Sequence, residues 1–280
     1  MSLILAATPL GNPGDASARL KQGIQAATII AAEDSRRFHR LCADIEIVFT
    51  ARVISFFEGN EEERTRELLE ELSAGATVLV VSDAGMPTIS DPGFRLMRDA
   101  IKAGVDVQVI PGPSAVTMAV ALSGLPTDRF TFEGFPPRSG GARLATFEKL
   151  RFEERTMVFF EAPHRLGDSL EDAESVFGPD RKGAICREMT KRYEETIRGT
   201  LSELSHWADT HEVLGEITLV LAGADKDSAV LTAGDMVARV REFEAAGMDR
   251  KGAIASVAAE FGIAKRLVYA AVVDANKMTP

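Results

Sequence analysis

The chain has 280 residues, is 45% hydrophobic and carries a formal charge of −10, from 32 Lys plus Arg against 42 Asp plus Glu. That apolar fraction excludes a disordered chain, and the length accommodates two domains with separate cores. The longest apolar runs have strand length, no export signal is visible, and two cysteines, Cys42 and Cys186, supply neither a disulfide framework nor a four-ligand zinc site. The expectation is a cytoplasmic protein with no metal and no membrane segment.

In chain order, Leu3–Ala7, Thr28–Ala32, Val53–Phe57, Thr77–Ser82 and Val107–Pro111 read as strands. Between them, Ser17–Ala26, Ser35–Leu41, Glu61–Leu72 and Gly93–Ala103 carry helical periodicity. The strand runs do not alternate, as expected of a parallel sheet covered on both faces by helices. A second set follows at Phe130–Glu133, Thr156–Glu161, Gly183–Arg187, Tyr193–Arg198 and Glu216–Ala222. This predicts two α/β domains in series, 1–118 and 119–225. Asp225–Ser228 reads as a polar linker to a helical module over 229–280, with helices at Asp235–Ala245, Arg250–Glu260 and Lys265–Asp274. The break at Phe261-Gly262-Ile263 suits a helix-turn-helix.

Three Gly/Pro loops follow strands of the first domain: Thr8–Asp15, Ser82–Gly93 and Pro111–Ala115. Ligands of open α/β sheets bind at strand carboxyl ends, so three such loops imply one shared crevice. The spacing matches neither a dinucleotide fingerprint nor a P-loop, and no Lys or Arg lies in the loops. A neutral or zwitterionic cofactor held by backbone is expected. Asp83 is placed to hydrogen-bond a ligand, Ser114 to donate at a helix start, and Asp91 to cap the helix beginning near Gly93. Glu61-Glu62-Glu63 reads as a helix start favoured by the macrodipole.

Charged side chains gather elsewhere. Glu33, Asp34, Arg36 and Arg37 end the second strand, and Glu133–Arg138 begins a flexible stretch reaching Arg143. Glu161, His164 and Arg165 mark a strand end, and Arg187, Glu188, Lys191 and Arg192 form a cationic cluster. Each is equally consistent with a solvated charged face.

Taken together, TPLGNPGD, AEDSRR, SDAGMPTISDPG, PGPSA, GLPTDRF, EGFPPR, FFEAPHR and REMTKRYEE…RGTL occur in an order that resembles the tetrapyrrole-methylase superfamily. Over residues 3–223 the resemblance is to its branch of ribosomal RNA small subunit methyltransferase I, and the tail resembles that branch's helix-turn-helix extension. Met86 stands where the branch usually has Thr, and Pro13 where Leu is common. The resemblance implies two α/β domains that bind S-adenosyl-L-methionine between them, within a homodimer. It implies cofactor contacts at Leu10, Val81, Ser82, Asp83, Met86, Ser114, Ala115, Glu161, Ala162 and Gly199. The implied substrate is the 2′-hydroxyl of a cytidine in 16S ribosomal RNA, at the decoding centre of the small ribosomal subunit.

That reaction needs a ribose oxygen aligned with a methyl carbon and one proton removed. Asp34 or Glu33 is the expected base, with His164 as competitor. Arg36, Arg37, Arg138, Arg165, Arg187 and Lys191 are expected on RNA phosphates, with Lys265 and Arg266 in the tail, where Lys251 adds charge. Three rivals are open at this level. One is a tetrapyrrole C-methyltransferase sharing the crevice, one a non-catalytic RNA-binding factor, and one a metal-dependent hydrolase using Glu33, Asp34 and Glu161.

Overall fold

The computed structural model describes residues 2–224, 233–261 and 263–277, so the expected linker Asp225–Ser228 lies outside the described residues, as does Gly262. The first sheet is wholly parallel, in the order β3-β2-β4-β1-β5. Its strands are β1 (Ser2–Ala6), β2 (Ile29–Ala32), β3 (Arg52–Ser55), β4 (Thr77–Val81) and β5 (Val107–Ile110). Helices α1 (Ala18–Ala26), α2 (Ser35–Asp44), α3 (Glu61–Ser73) and α4 (Phe94–Lys102) provide the crossovers. Residues alternate between two cores, one on each face of this sheet. Leu3, Leu5, Val78 and Val80 meet Leu68, Leu72 and Leu96 on one side. Ala6, Ile30, Leu79 and Val81 meet Leu20, Ile24 and Phe38 on the other. Burial on both faces is why these strands lack a polar alternation.

The second sheet has the order β6-β7-β10-β8-β9, with β6 (Phe130–Phe132), β7 (Thr156–Glu161), β8 (Lys182–Arg187), β9 (Glu195–Thr200) and β10 (Ile217–Leu221). Here β6 runs parallel to β7, while β7, β10, β8 and β9 pair antiparallel. One face packs on α6 (Gly140–Leu150), α7 (Leu166–Phe177) and α8 (Leu201–Thr210), through Phe147, Phe159, Leu170, Leu204 and Leu219. The other face packs on α5 (Ala115–Ser123) through Val116, Ala119, Val120, Val158, Cys186 and Val220. A division after residue 118 therefore passes through the middle of a helix that belongs to the second sheet. Arg143 is not in a flexible stretch: it is 4% exposed on α6, its Nε donating to Asp172 of α7 at 2.6 Å.

The tail forms α9 (Ala233–Ala245), α10 (Arg250–Glu260) and α11 (Lys265–Lys277) around its own small core of Val237, Val240, Ile254, Val257, Val268 and Val272. Phe261 meets Phe152 of the second domain edge to face, with ring centroids 5.1 Å apart.

Candidate active site

The loops at the carboxyl ends of β1 and β4 are joined. Thr8 N donates to the Gly85 carbonyl at 2.9 Å, Gly85 N returns a bond to Thr8 O at 3.1 Å, and Thr8 Oγ1 donates to Ser82 O at 3.1 Å. Gly85 has φ +76°, which a glycine adopts without strain. Gly112 is required by close approach, since a Cβ there would stand 2.9 Å from that of Ala7. Thr88 (φ 77°) and Ser90 (φ 61°) in the β4 loop, and Glu188 (φ 50°) and Thr190 (φ 66°) after β8, hold left-handed conformations without being glycine. Such backbone persists where surrounding contacts over-determine it, and it gathers at functional sites.

The loop after β8 braces the two sheets. Asn12 N donates to Thr190 Oγ1 at 3.2 Å, and Glu188 Oε1 accepts from Glu216 N at 2.9 Å and Lys191 Nζ at 2.8 Å. Lys191 Nζ also meets Glu216 Oε2 at 3.0 Å.

Between the sheets lies a cleft of about 400 Å³. Leu10, Glu33, Arg37, Asp83, Ser90, Asp91 and Ala115 line it from the first domain and α5. Phe135, Phe160, Glu161, Ala162, Met189 and the Gly215–Thr218 segment line it from the second. The second-domain side sets Phe135, Phe160 and Met189 beside Glu161 and Glu216, and the first-domain side carries Glu33, Asp83 and Asp91. Glu33 and Asp83 are interlocked: Asp83 N donates to Glu33 Oε2 at 3.0 Å, and Asp34 N donates to Asp83 Oδ1 at 3.0 Å. Arg37 supplies the counter-charge, 3.2 Å from Asp83. Burial raises the pKa of both carboxyls above the ordinary range, with Arg37 opposing it.

Asp91 departs furthest from expectation. It does not cap α4; Glu61 does, Oε1 accepting from Gly93 N at 3.0 Å and Arg95 N at 3.3 Å. Asp91 faces the cleft instead. Burial, with the charges of Glu33, Asp83 and Glu216, pushes its carboxyl up to about 7 against a Ser82 hydrogen bond that lowers it.

The expected cofactor residues divide. Leu10, Asp83, Ala115, Glu161 and Ala162 line the cleft. Val81 and Ser82 are buried beneath it as the end of β4 and the start of its loop, and Met86 and Ser114 are half-buried outside its lining, Ser114 making no capping hydrogen bond. The structure does not bring Gly199 to the site. It pairs with Gly183, four residues from the cleft end of the sheet at Arg187 and Ile217, or about 13 Å along the strand. The Glu161 carboxylate is engaged internally, accepting from Ser169 Oγ at 2.5 Å and Ala162 N at 2.8 Å.

The expected bases and RNA contacts also divide. Asp34 caps α2, accepting from Arg36 N at 2.8 Å, and pairs with the Arg36 guanidinium at 3.0 Å. The Arg36 guanidinium holds its carboxyl down at about 2, and it does not line the cleft. His164 is exposed on the turn after β7, also outside the lining. Arg165 serves the fold: Nη2 donates to the carbonyls of Pro136 (2.7 Å) and Pro137 (3.1 Å), and Nη1 sits 3.4 Å from Glu161. Arg187 is paired with Glu195 at 3.0 Å, and Lys191 with Glu188 and Glu216. Arg138, Lys265 and Arg266 are exposed; Arg37 stands at the cleft.

The sequence reading missed Asp91, Phe135, Phe160, Met189 and Gly215–Thr218. The last group escaped because a search at strand carboxyl ends overlooks β10, whose antiparallel pairing brings its amino end to Glu161. Among the described residues, no three His, Cys, Asp or Glu side chains are arranged to hold a metal ion, and no helix is long and apolar enough to cross a membrane.

This geometry suits S-adenosylmethionine: the volume is that of a small-molecule site, the aromatic wall accepts a planar base, and the carboxylates complement a sulfonium cation. The sequence model of the Tetrapyrrole (Corrin/Porphyrin) Methylases matches residues 2–205. A protein of Mycobacterium tuberculosis called ribosomal RNA small subunit methyltransferase I is 49% identical over 99% of this chain and 96% of its own length. One of the same name from Thermotoga maritima is 43% identical over 80% of this chain and 99% of its own. Among solved structures, uroporphyrin-III C-methyltransferase from Thermus thermophilus, in complex with S-adenosylhomocysteine, aligns at a TM-score of 0.56 and 18% identity, over 79% of this chain and 97% of that one. The methyltransferase CobJ aligns at 0.61 and 17%, over 80% and 94%. At these identities the two structures speak for the fold.

Proposed function

The chain is a methyltransferase of the S-adenosylmethionine-dependent tetrapyrrole methylase family, and we propose that it methylates small-subunit ribosomal RNA, at the 2′-hydroxyl of a cytidine. The observation that carries the reading is the inter-sheet cleft, where the three Gly/Pro loops converge with clustered carboxylates and the rings of Phe135 and Phe160. The substrate class rests on the kinship with the ribosomal RNA methyltransferases, and the cytidine 2′-oxygen on the sequence resemblance. A homodimer in the cytoplasm belongs to the same reading.

Leu10, Asp83, Ala115, Ala162 and the Gly215–Thr218 segment hold the cofactor, with Phe135 and Phe160 packing against its apolar part. When bound, the cofactor supplies an electrophilic methyl carbon on a sulfonium sulfur. A ribose hydroxyl is a poor acid and needs a base in reach. Asp91 takes that proton in our assignment, because it faces the cleft and its carboxyl holds a proton at neutral pH far better than Asp34. Glu33 orients the Asp83 loop through its bond to Asp83 N, and Arg37 offsets the clustered negative charge.

The test is transfer of labelled methyl from S-adenosylmethionine to small subunits lacking the modification, followed by nuclease mapping. Label on a cytidine 2′-oxygen supports the reading. Tight cofactor binding without label on ribosomal RNA sinks it and brings a tetrapyrrole acceptor forward.

A further inference from the structure

The tail carries a second surface that the methyl-transfer site does not use. Asp249, Arg250, Lys251, Ile254, Lys265, Arg266 and Tyr269 line a groove of about 760 Å³ between the starts of α10 and α11. It holds four cations and one carboxylate, and that carboxylate is occupied: Asp249 caps α10, accepting from Gly252 N at 3.3 Å. Arg250 reaches Glu244 at 3.6 Å, but Lys251, Lys265 and Arg266 have no ion pair among the described residues.

Two features set this groove apart from an ordinary solvated face. All four cations stand in the first turn of a helix, where the macrodipole opposes positive charge, and for Lys251, Lys265 and Arg266 no ion pair among the described residues offsets that cost. Beside them Tyr269 is 60% and Leu267 51% exposed, more than any other large apolar side chain among the described residues of the module, whose core gathers Val237, Val240, Ile254, Val257, Val268 and Val272. The aliphatic stems of the Lys and Arg side chains extend that apolar floor. A positive rim over an exposed aromatic fits a polymer with phosphates along its backbone and flat bases, and a chain of net charge −10 needs such a local patch to hold one.

We propose that this groove binds the RNA substrate away from the reacting nucleotide, with Lys251, Lys265 and Arg266 on phosphates and Tyr269 stacked on an unpaired base. The inference rests on the ribosomal RNA reading and adds to it a second point of attachment, which sets affinity and register and leaves the chemistry to the cleft.

The experiment compares the full-length protein with Lys265→Ala/Arg266→Ala, Tyr269→Ala and Tyr269→Phe. Binding of fluorescently labelled 16S ribosomal RNA is titrated across salt concentrations, alongside S-adenosylmethionine affinity and melting temperature. All three positions are exposed, so the variants should fold. The double variant should bind RNA more weakly and lower the slope of log affinity against log salt by about one for each phosphate it no longer neutralises. Tyr269→Ala should weaken binding about tenfold and Tyr269→Phe hardly at all, since the ring is what stacks. In turnover, KM for the subunit should rise with kcat kept. Unchanged RNA affinity and salt slope in the double variant, in a protein whose wild type does methylate the RNA, overturns the groove alone. Groove-dependent RNA binding with no methyl transfer keeps the groove and overturns ribosomal RNA as the methyl acceptor. A wild type that neither binds nor methylates the RNA overturns both.

Discussion

Replacing Asp91 by Asn tests the proposed chemistry most directly. The change is nearly isosteric and leaves the Ser82 hydroxyl a partner, but it removes the proton acceptor. Because burial and the charges of Glu33, Asp83 and Glu216 push this carboxyl up to about 7, the wild type should be about one-tenth ionised there at pH 6 and nine-tenths at pH 8. The limb of kcat/KM for the cofactor reports the free enzyme, so that parameter should rise about tenfold over those two units. Asp91→Asn should lose the limb and lower kcat by about 100-fold or more, with KM for the cofactor within about threefold. The assay is initial-rate transfer of labelled methyl to small subunits, from pH 5.5 to 9 at constant ionic strength. A flat wild-type profile between pH 6 and 8, or a variant within about threefold of wild-type kcat, refutes the reasoning and moves the role to Glu33.

The same substitution carries a stability signature. A carboxyl raised in the folded state favours folding while protonated, a benefit lost as pH rises through about 7, so Asp91→Asn should melt higher than wild type at pH 8, with the gap narrowing toward pH 5 by differential scanning calorimetry. Asp34→Ala should lower the melting temperature by loss of the α2 cap yet keep turnover; lost turnover with intact cofactor binding would return Asp34 to the mechanism. Arg143→Ala leaves Asp172, with a side chain 20% exposed, without its cation and should cost about 3 kcal/mol in urea unfolding. Thr200→Ala removes half of the α8 capping box, in which Thr200 Oγ1 accepts from Glu203 N at 3.2 Å, and should cost about 1 kcal/mol. Gly223→Ala would drive a Cβ into the Glu154 carbonyl and should cost about 2 kcal/mol or more by the same measurement.

Much of the first domain was legible in the sequence because its signals are local. Strands buried on both faces read as unbroken apolar runs, as at Val78–Val81, and the Gly/Pro loops declare tight backbone where they stand. Kinship is also written locally, in motifs whose order survives without coordinates. The three tail helices were predicted nearly to their observed ends, since an Ala-rich period between turn residues needs no partner to be seen.

What a charged side chain does was decided by the tertiary structure. Asp34 and Asp91 look alike in sequence, each an Asp near a predicted helix start, but one caps α2 in solvent beside Arg36 and the other is enclosed among three carboxylates from separate segments. Arg165, Arg187 and Lys191 read as free cations until the carbonyls and carboxylates that hold them arrive from residues 136, 137, 195 and 216. Strand direction in the second sheet was equally invisible, and with it the place of Gly215–Thr218 at the cleft and of Gly199 away from it. Secondary structure follows from short-range periodicity and turn chemistry, whereas desolvation and ion pairing depend on neighbours distant in sequence, and those neighbours exist only once the chain has folded.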